Sequence, residues 1–260
     1  MKTAIITGAC INTGVAIVEK FLSEGWCVVF TGRNSEKVKE AEEKYKQKFA
    51  NSRVIGFAID SLLDERTVDE AAVEDLFSKL DELGLIPDAL VLNAADQGLG
   101  IKAFENPLTD FMRVVNTNVV WNYCLCEHAA KRMIKNGGGS ITFINSNTAY
   151  RAIPDRIAYV ASKGGQLGMM RALALDFGKY NIRVNAVLPG MIKTDRWEKN
   201  PDFYNTVPSR FTPIGDVAVG ADVADAVWYF TAHARNTTGA ELVLDGGNTI
   251  QLYPIIPNNN

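Results

Sequence analysis

Short β-branched runs alternate with longer stretches of helical periodicity from one end of the chain to the other. The runs TAIIT (3–7), CVVFT (27–31), VIGFA (54–58), ALVLN (89–93), SITFI (140–144), IRVNAVL (182–188) and ELVL (241–244) predict seven strands. Most of the segments between them are long enough for a helix. Parallel strands need such long crossovers and bury both faces, so the pattern predicts a doubly wound α/β fold with a mostly parallel seven-stranded sheet between helical layers. The turn NGGGS (136–140) ends a long helix, where glycine takes the left-handed conformation cheaply. From Met191 to Gly220 the alternation breaks, and the segment carries Pro201, Pro208 and Pro213. It reads as an irregular excursion, the kind of long connection that often serves as a lid.

Composition narrows the class. With 260 residues, 47% of them hydrophobic, and no Pro- or Ser-rich linker or repeat, residues 1–260 are expected to form a single domain. The net charge of −3 and the lack of a Lys/Arg cluster interleaved with aromatics disfavour nucleic acid and anionic membrane surfaces as partners. No apolar stretch approaches the roughly 20 residues that span a bilayer. Cys10, Cys27, Cys124 and Cys126 form no CxxC pair, and the chain enters a strand at once, so reduced thiols and a cytoplasmic location are expected. The two histidines, His128 and His233, lie in no ligand cluster, and no metal is expected.

Two stretches carry candidate chemistry. In TGACINTG (7–14) a strand, a turn with Gly8 and Gly14, and a helix follow one another. That arrangement presents free N–H groups and the positive end of a helix to a dinucleotide pyrophosphate, although many α/β proteins keep glycine in this turn for steric reasons alone. In SITFINSNTAYRAIPDRIAYVASKGG, Tyr159 and Lys163 are four apart in a helix expected to begin near Pro154 or Asp155, so they share one face. An ammonium beside a phenol stabilises phenolate, and Ser146, at the end of the preceding strand, can hydrogen-bond to the same oxygen. By itself the Tyr–Lys pair could equally be a surface helix pair.

The motifs together, in order and spacing, resemble the short-chain dehydrogenase/reductase family over nearly the whole chain. They are TGACINTG (family TGxxxGxG), Asp60 after the third strand, LNAA at 92–95 (NNAG), Asn116 in the long fourth helix, Ser146, Tyr159 with Lys163 (YxxxK), PGMIKT at 189–194 (PGxxxT) and TGAELVLDGG at 238–247. The resemblance implies a Rossmann fold and an enzyme that acts on CH–OH groups with a nicotinamide cofactor. It implies Tyr159 as general acid/base, Lys163 lowering its pKa and binding the nicotinamide ribose, Ser146 polarising the substrate carbonyl, and Asn116 holding a water that links Lys163 to solvent. Gly8, Asn12, Thr13 and Gly14 would hold the pyrophosphate, Asp60 with Ser61 would meet the adenine, and Asn93 and Ala94 would lie along the cofactor. Pro189, Gly190, Ile192 and Thr194 would fix the carboxamide. Dimeric or tetrameric assembly is also implied, and the helices carrying WNYCLCEHAA and GGQLGMMRALALDF hold more apolar residues than one buried face can use.

The chain departs from the family pattern at three places. Asn12 stands where the second glycine is usual, Leu92 and Ala95 replace the outer residues of NNAG, and Asp96 follows directly. Asp96 could face the active site or cap a turn. After the second strand the chain has Thr31, Gly32 and then Arg33, a planar cation suited to a 2′-phosphate, so NADP(H) is expected over NAD(H), with NAD(H) possible. Trp197, Phe203, Tyr204 and Phe211 in the excursion suit either a bulky apolar substrate or packing. The resulting expectation is an oxidoreductase interconverting a small secondary alcohol and a ketone. A 3-oxoacyl-carrier-protein reductase is the alternative within enzymes, with Lys131 and Arg132 as the candidate docking patch. A non-catalytic dinucleotide-sensing regulator is the alternative outside them, although a sensor has no need of a proton relay.

Overall fold

A computed structural model describes residues 1–201 and 211–253; Phe203, Tyr204 and Pro208 of the excursion lie outside the described residues. Seven strands form one all-parallel sheet in the order β3-β2-β1-β4-β5-β6-β7. They are β1 (Thr3–Ile6), β2 (Cys27–Gly32), β3 (Val54–Ala58), β4 (Ala89–Leu92), β5 (Gly139–Ile144), β6 (Ile182–Pro189) and β7 (Glu241–Leu244). Each predicted run matches its strand to within one residue at either end.

Alternate residues of the strands point to opposite faces, and both faces are covered. Ile5, Val29, Leu90, Leu92, Phe143 and Val184 pack under α3 (Glu70–Glu82), α5 (Trp121–Lys135) and α6 (Ile157–Gly178). Ala4, Ile6, Val28, Phe30 and Val91 pack under α1 (Asn12–Ser23), α2 (Ser35–Lys48) and α8 (Gly220–Trp228). In α1 the buried positions Gly14, Ile17, Val18, Phe21 and Leu22 recur at helical spacing, and the helix ends at Gly25, whose φ of 77° closes the turn into β2.

Two helices depart from the sequence reading. The long helix after β4 runs as α4 (Leu108–Val115), a π-helical turn (Asn116–Val120) and α5, and such turns often occur at functional sites. The helix bearing Tyr159 begins at Ile157 rather than at Pro154 or Asp155, because Asp155 takes a φ of 56° that no helix continues. Within the excursion, α7 (Asp195–Lys199) follows the end of β6. Among the described residues no helix is long and apolar enough to cross a membrane.

Candidate active site

The sheet order turns back between β1 and β4, and in open parallel sheets the crevice at the carboxyl ends of such strands is where ligands sit. Most of the sequence-predicted site residues lie at those ends. After β1, Gly8 has a φ of 66°, and a Cβ there would stand 2.8 Å from the Ala94 Cα. A Cβ on Gly14 would stand 2.5 Å from the Gly8 carbonyl oxygen, so Gly14 is demanded by backbone approach within the turn and Gly8 by the approach of the chain after β4. Asn12 adopts a φ of 50°, in the left-handed region. Asn93 and Ala94 brace this turn: both backbone N–H groups donate to Thr7 Oγ1, and Asn93 Nδ2 donates to the carbonyls of Thr7 and Gly8 at 3.0 Å.

The start of α1 differs from that of its neighbours. Asn34 caps α2 by accepting from Lys37 N, and Asp69 caps α3 by accepting from Ala72 N, but Ile11 offers α1 no side-chain acceptor. The first N–H groups of α1 therefore lack an intrahelical partner and a side-chain cap. Beside them lies a cleft of about 410 Å³ lined by Asn12, Thr13, Lys193, Thr194, Asp195 and Trp197 among others. A helix N-terminus without a cap, open to a cleft, fits an anionic group such as a pyrophosphate. Across the cleft the segment after β6 is held by Gly190 N donating to the Leu244 carbonyl, by a parallel bridge between Ile192 and Ala218, and by Lys193 N donating to Ala218. Pro189 ends β6 and is buried. Trp197, one of the excursion aromatics, is also buried, whereas Phe211 is exposed. Asp60 is exposed and orders the chain after β3 by accepting from Ser61 N at 2.7 Å, and Ser61 is buried against Thr117. Arg33 follows β2 directly and is exposed.

The proton-handling residues form a second, more enclosed group. Tyr159 and Lys163 lie one turn apart on α6, with the Lys163 Nζ 5.5 Å from the tyrosine ring centroid. Ser146, just beyond β5, hydrogen-bonds to Tyr159 and accepts from Thr148 N and Thr148 Oγ1. The close surroundings of the Tyr159 hydroxyl push its phenol above the ordinary tyrosine value, against the opposing pull of the Ser146 hydrogen bond and the Arg156 charge. Lys163 is 1% exposed, and burial lowers its ammonium to about 7. Its Nζ donates to the Ile144 carbonyl at 2.9 Å and to Gln166 Oε1 at 3.1 Å.

One predicted member does not join this group. Asn116 Nδ2 donates to the carbonyl of Arg66, on the far side of its helix. Asn118, two residues on and therefore on nearly the opposite face, is the asparagine that faces α6. It is fully buried, accepts from Asp96 N, and donates to Ser162 Oγ at 2.9 Å and to the Asp96 carbonyl. Its own carbonyl accepts from Gln166 Nε2 at 2.6 Å, so the connection from asparagine to Lys163 runs from Asn118 through Gln166. Sequence reading missed Asn118, Gln166 and Asn145. Gln166 is three residues beyond Lys163 and seven beyond Tyr159, a spacing that places all three on one helical face.

Asp96 caps a turn by accepting from Gly98 N and pairs with Arg113 on α4. The candidate docking residues are both ion-paired. Arg132 is paired with Asp81 and Lys131 with Glu127, in the last turns of α5, which leads to the amino end of β5 while the site lies at the strands' carboxyl ends.

A family model described as short chain dehydrogenase matches residues 2–205. An uncharacterized oxidoreductase of Thermotoga maritima is 31% identical over 259 residues, covering 96% of this chain and 97% of the relative. Among solved structures, the L-sorbose reductase from Gluconobacter frateurii complexed with NADPH and L-sorbose is 26% identical with a TM-score of 0.87, covering 96% of this chain and 97% of that one. A 7α-hydroxysteroid dehydrogenase complexed with NADH and 7-oxo glycochenodeoxycholic acid is 30% identical with a TM-score of 0.83, covering 96% and 95%.

Proposed function

This chain belongs to the short-chain dehydrogenase family of oxidoreductases, and from that premise we propose that it is an NADP(H)-preferring enzyme interconverting a secondary alcohol and a ketone. The observation that carries the reading is the grouping of Ser146, just beyond the carboxyl end of β5, with Tyr159 and Lys163 on α6, together with the uncapped start of α1 that follows the carboxyl end of β1. A nicotinamide dinucleotide bound there supplies or accepts the hydride. Ser146 Oγ donates to the substrate oxygen and polarises it. Tyr159 gives its phenolic proton to that oxygen in the reducing direction and takes it back in the oxidising one. Lys163, when charged, stabilises the phenolate left behind, so the proton transfer is easier than the raised phenol value alone would allow.

The residues around the carboxyl ends of the strands suit such a cofactor. Gly8, Asn12, Thr13 and Gly14 would receive the pyrophosphate at the start of α1. Asp60 and Ser61 would flank the adenine, and Asn93 and Ala94 would shape the wall between β1 and β4. Pro189, Gly190, Ile192 and Thr194 would present backbone and hydroxyl groups to the carboxamide. Preference for NADP(H) rests on Arg33, which stands free to pair with a 2′-phosphate at the end of β2. NADPH complexed to one structural neighbour and NADH to another are both compatible with the fold.

Exposed Val120 in the π-helical turn, Tyr123 on α5 and Leu175 on α6, 83% exposed, support assembly into a homodimer or homotetramer through these helices. A cytoplasmic site of action, where NADPH is kept reduced, goes with this reading. The test is a panel of steroid, sugar and aliphatic ketones assayed by NADPH and NADH absorbance. Turnover of at least one ketone with NADPH favoured supports the reading, and cofactor binding without turnover of any would favour a dinucleotide sensor.

A further inference from the structure

Behind Lys163 lies a cluster of carboxamides that the reaction as read above leaves without a task. Asn118, Asn122, Asn145 and Gln166 are each no more than 4% exposed. They come from the π-helical turn, α5, the end of β5 and α6, and they meet around the Lys163 ammonium. Gln166 is the centre. Its Oε1 accepts from Lys163 Nζ and from Asn145 Nδ2, both at 3.1 Å, while its Nε2 donates to the Asn118 carbonyl. Asn145 Nδ2 also donates to the Lys163 carbonyl at 3.0 Å, tying the lysine backbone to the same point. The Asn118 carbonyl takes a second donor from Asn122 Nδ2 at 2.8 Å.

The chemistry of the partners fixes which way the Gln166 amide points. An ammonium can only donate and a carbonyl can only accept, so the oxygen must face Lys163 and the NH₂ must face Asn118. Of the three N–H donors on Lys163, Ile144 and Gln166 take two, leaving one for the cleft. Among the described residues no carboxylate lies within ion-pair distance of this nitrogen. The titratable and charged groups around it are the Tyr159 phenol on α6, Arg156 at the start of that helix, whose charge acts on Tyr159, and Asp96, which is engaged with Arg113 of α4. From β5 and the π-helical turn only neutral amides and carbonyls face it.

We infer that Gln166 is a positioning residue for Lys163: its carboxamide joins the ammonium to the Asn118 carbonyl, holding the lysine in one place and in its charged, donating form. A buried ammonium loses its water and prefers to shed its proton, and here two oxygen acceptors with no formal charge oppose that loss. Burial lowers the Lys163 ammonium, and the acceptors that hold it work against that loss. The bearing of this clamp on turnover rests on the role given to Lys163 above, whereas the clamp itself can be measured without any substrate.

The experiment is an NMR titration of protein labelled with ¹³Cε-lysine, in wild type, Gln166→Leu and Gln166→Glu, with Lys163 assigned as the resonance missing from Lys163→Arg. Removing the acceptor should lower the Lys163 midpoint by about one pH unit, and a carboxylate in its place should raise it by at least as much. The order Leu below Gln below Glu, with the other lysines unmoved, supports the inference. Midpoints within about 0.2 unit of one another in folded proteins overturn it. If Gln166→Leu does not fold, the direction of the Gln166→Glu shift decides alone. NADPH and NADH fluorescence titrations of the wild type run beside it: failure to bind either refutes the proposed function and leaves the clamp to be judged by the lysine midpoints.

Discussion

The site has two halves that are built differently. The turn after β1 is made of backbone: a left-handed Gly8, a Gly14 pressed against the Gly8 carbonyl, and a helix start without a side-chain cap, all within eight residues. The half around Tyr159 draws on Asp96, Asn118, Asn145, Ser146, Lys163 and Gln166, and several of its contacts join residues about twenty or more positions apart in the chain. The starts of α2 and α3 are by contrast capped by the side chains of Asn34 and Asp69. The difference predicts that damage to the side-chain half falls on turnover, and damage to the backbone half on cofactor affinity.

The sharpest way to break that comparison is Tyr159→Phe, which keeps the ring and removes only the hydroxyl. Turnover is expected to fall by about 100- to 10,000-fold. Cofactor affinity, read by NADPH fluorescence, should stay within about threefold, since no contact in the turn after β1 changes. Retention of more than about a tenth of the wild-type rate would mean that Tyr159 is not the acid.

Arg33→Ala tests the other half and should leave kcat nearly unchanged. A charge-assisted bond to phosphate supports an expected rise of about tenfold or more in the NADPH KM, with the NADH KM almost unmoved because NADH has no 2′-phosphate. Equal effects on both cofactors would reduce Arg33 to a structural part.

A smaller effect distinguishes the two asparagines of the π-helical turn. Asn118→Ala leaves Asp96 N and Ser162 without their partner in a buried site, so stability should drop by about 1–3 kcal/mol and turnover should fall with it. Asn116→Ala loses one bond to a carbonyl near the surface and should stay within about 0.5 kcal/mol by urea denaturation. The reverse order would mean that the Asn118 side-chain bonds carry less of the fold than the Asn116 bond to Arg66.

That pair also shows where sequence reading stops. Strands, turn glycines and the Tyr–Lys spacing are local patterns, and each stands in the structure close to its expected position. NTN at 116–118 offers two asparagines of the same type, and only the direction of each helix face tells them apart. The π-helical turn makes that direction harder still to project from a period of 3.6. Asn145 and Gln166 carry no motif, and their importance comes from meeting each other across the end of β5 and α6. Asp96 was open between cleft and turn because its partner Arg113 lies seventeen residues away on α4.

The smallest expected effect concerns Asn12, where a glycine is usual. Its φ of 50° places it in the left-handed region, which asparagine enters more readily than other residues with a side chain, so the turn keeps its shape without the glycine. Its side chain is exposed at the cleft and does not fill the approach to the start of α1, which depends on Gly8 and Gly14 instead. Asn12→Gly should therefore leave NADPH affinity within about tenfold. Asn12→Val should weaken it further, because a β-branched side chain is both strained at this φ and stiff at χ1. The three proteins titrated side by side with NADPH decide the matter. Equal binding by valine and asparagine would show that the backbone there relaxes out of the left-handed region at no cost, and that this half of the site tolerates side chains where its geometry says it should not.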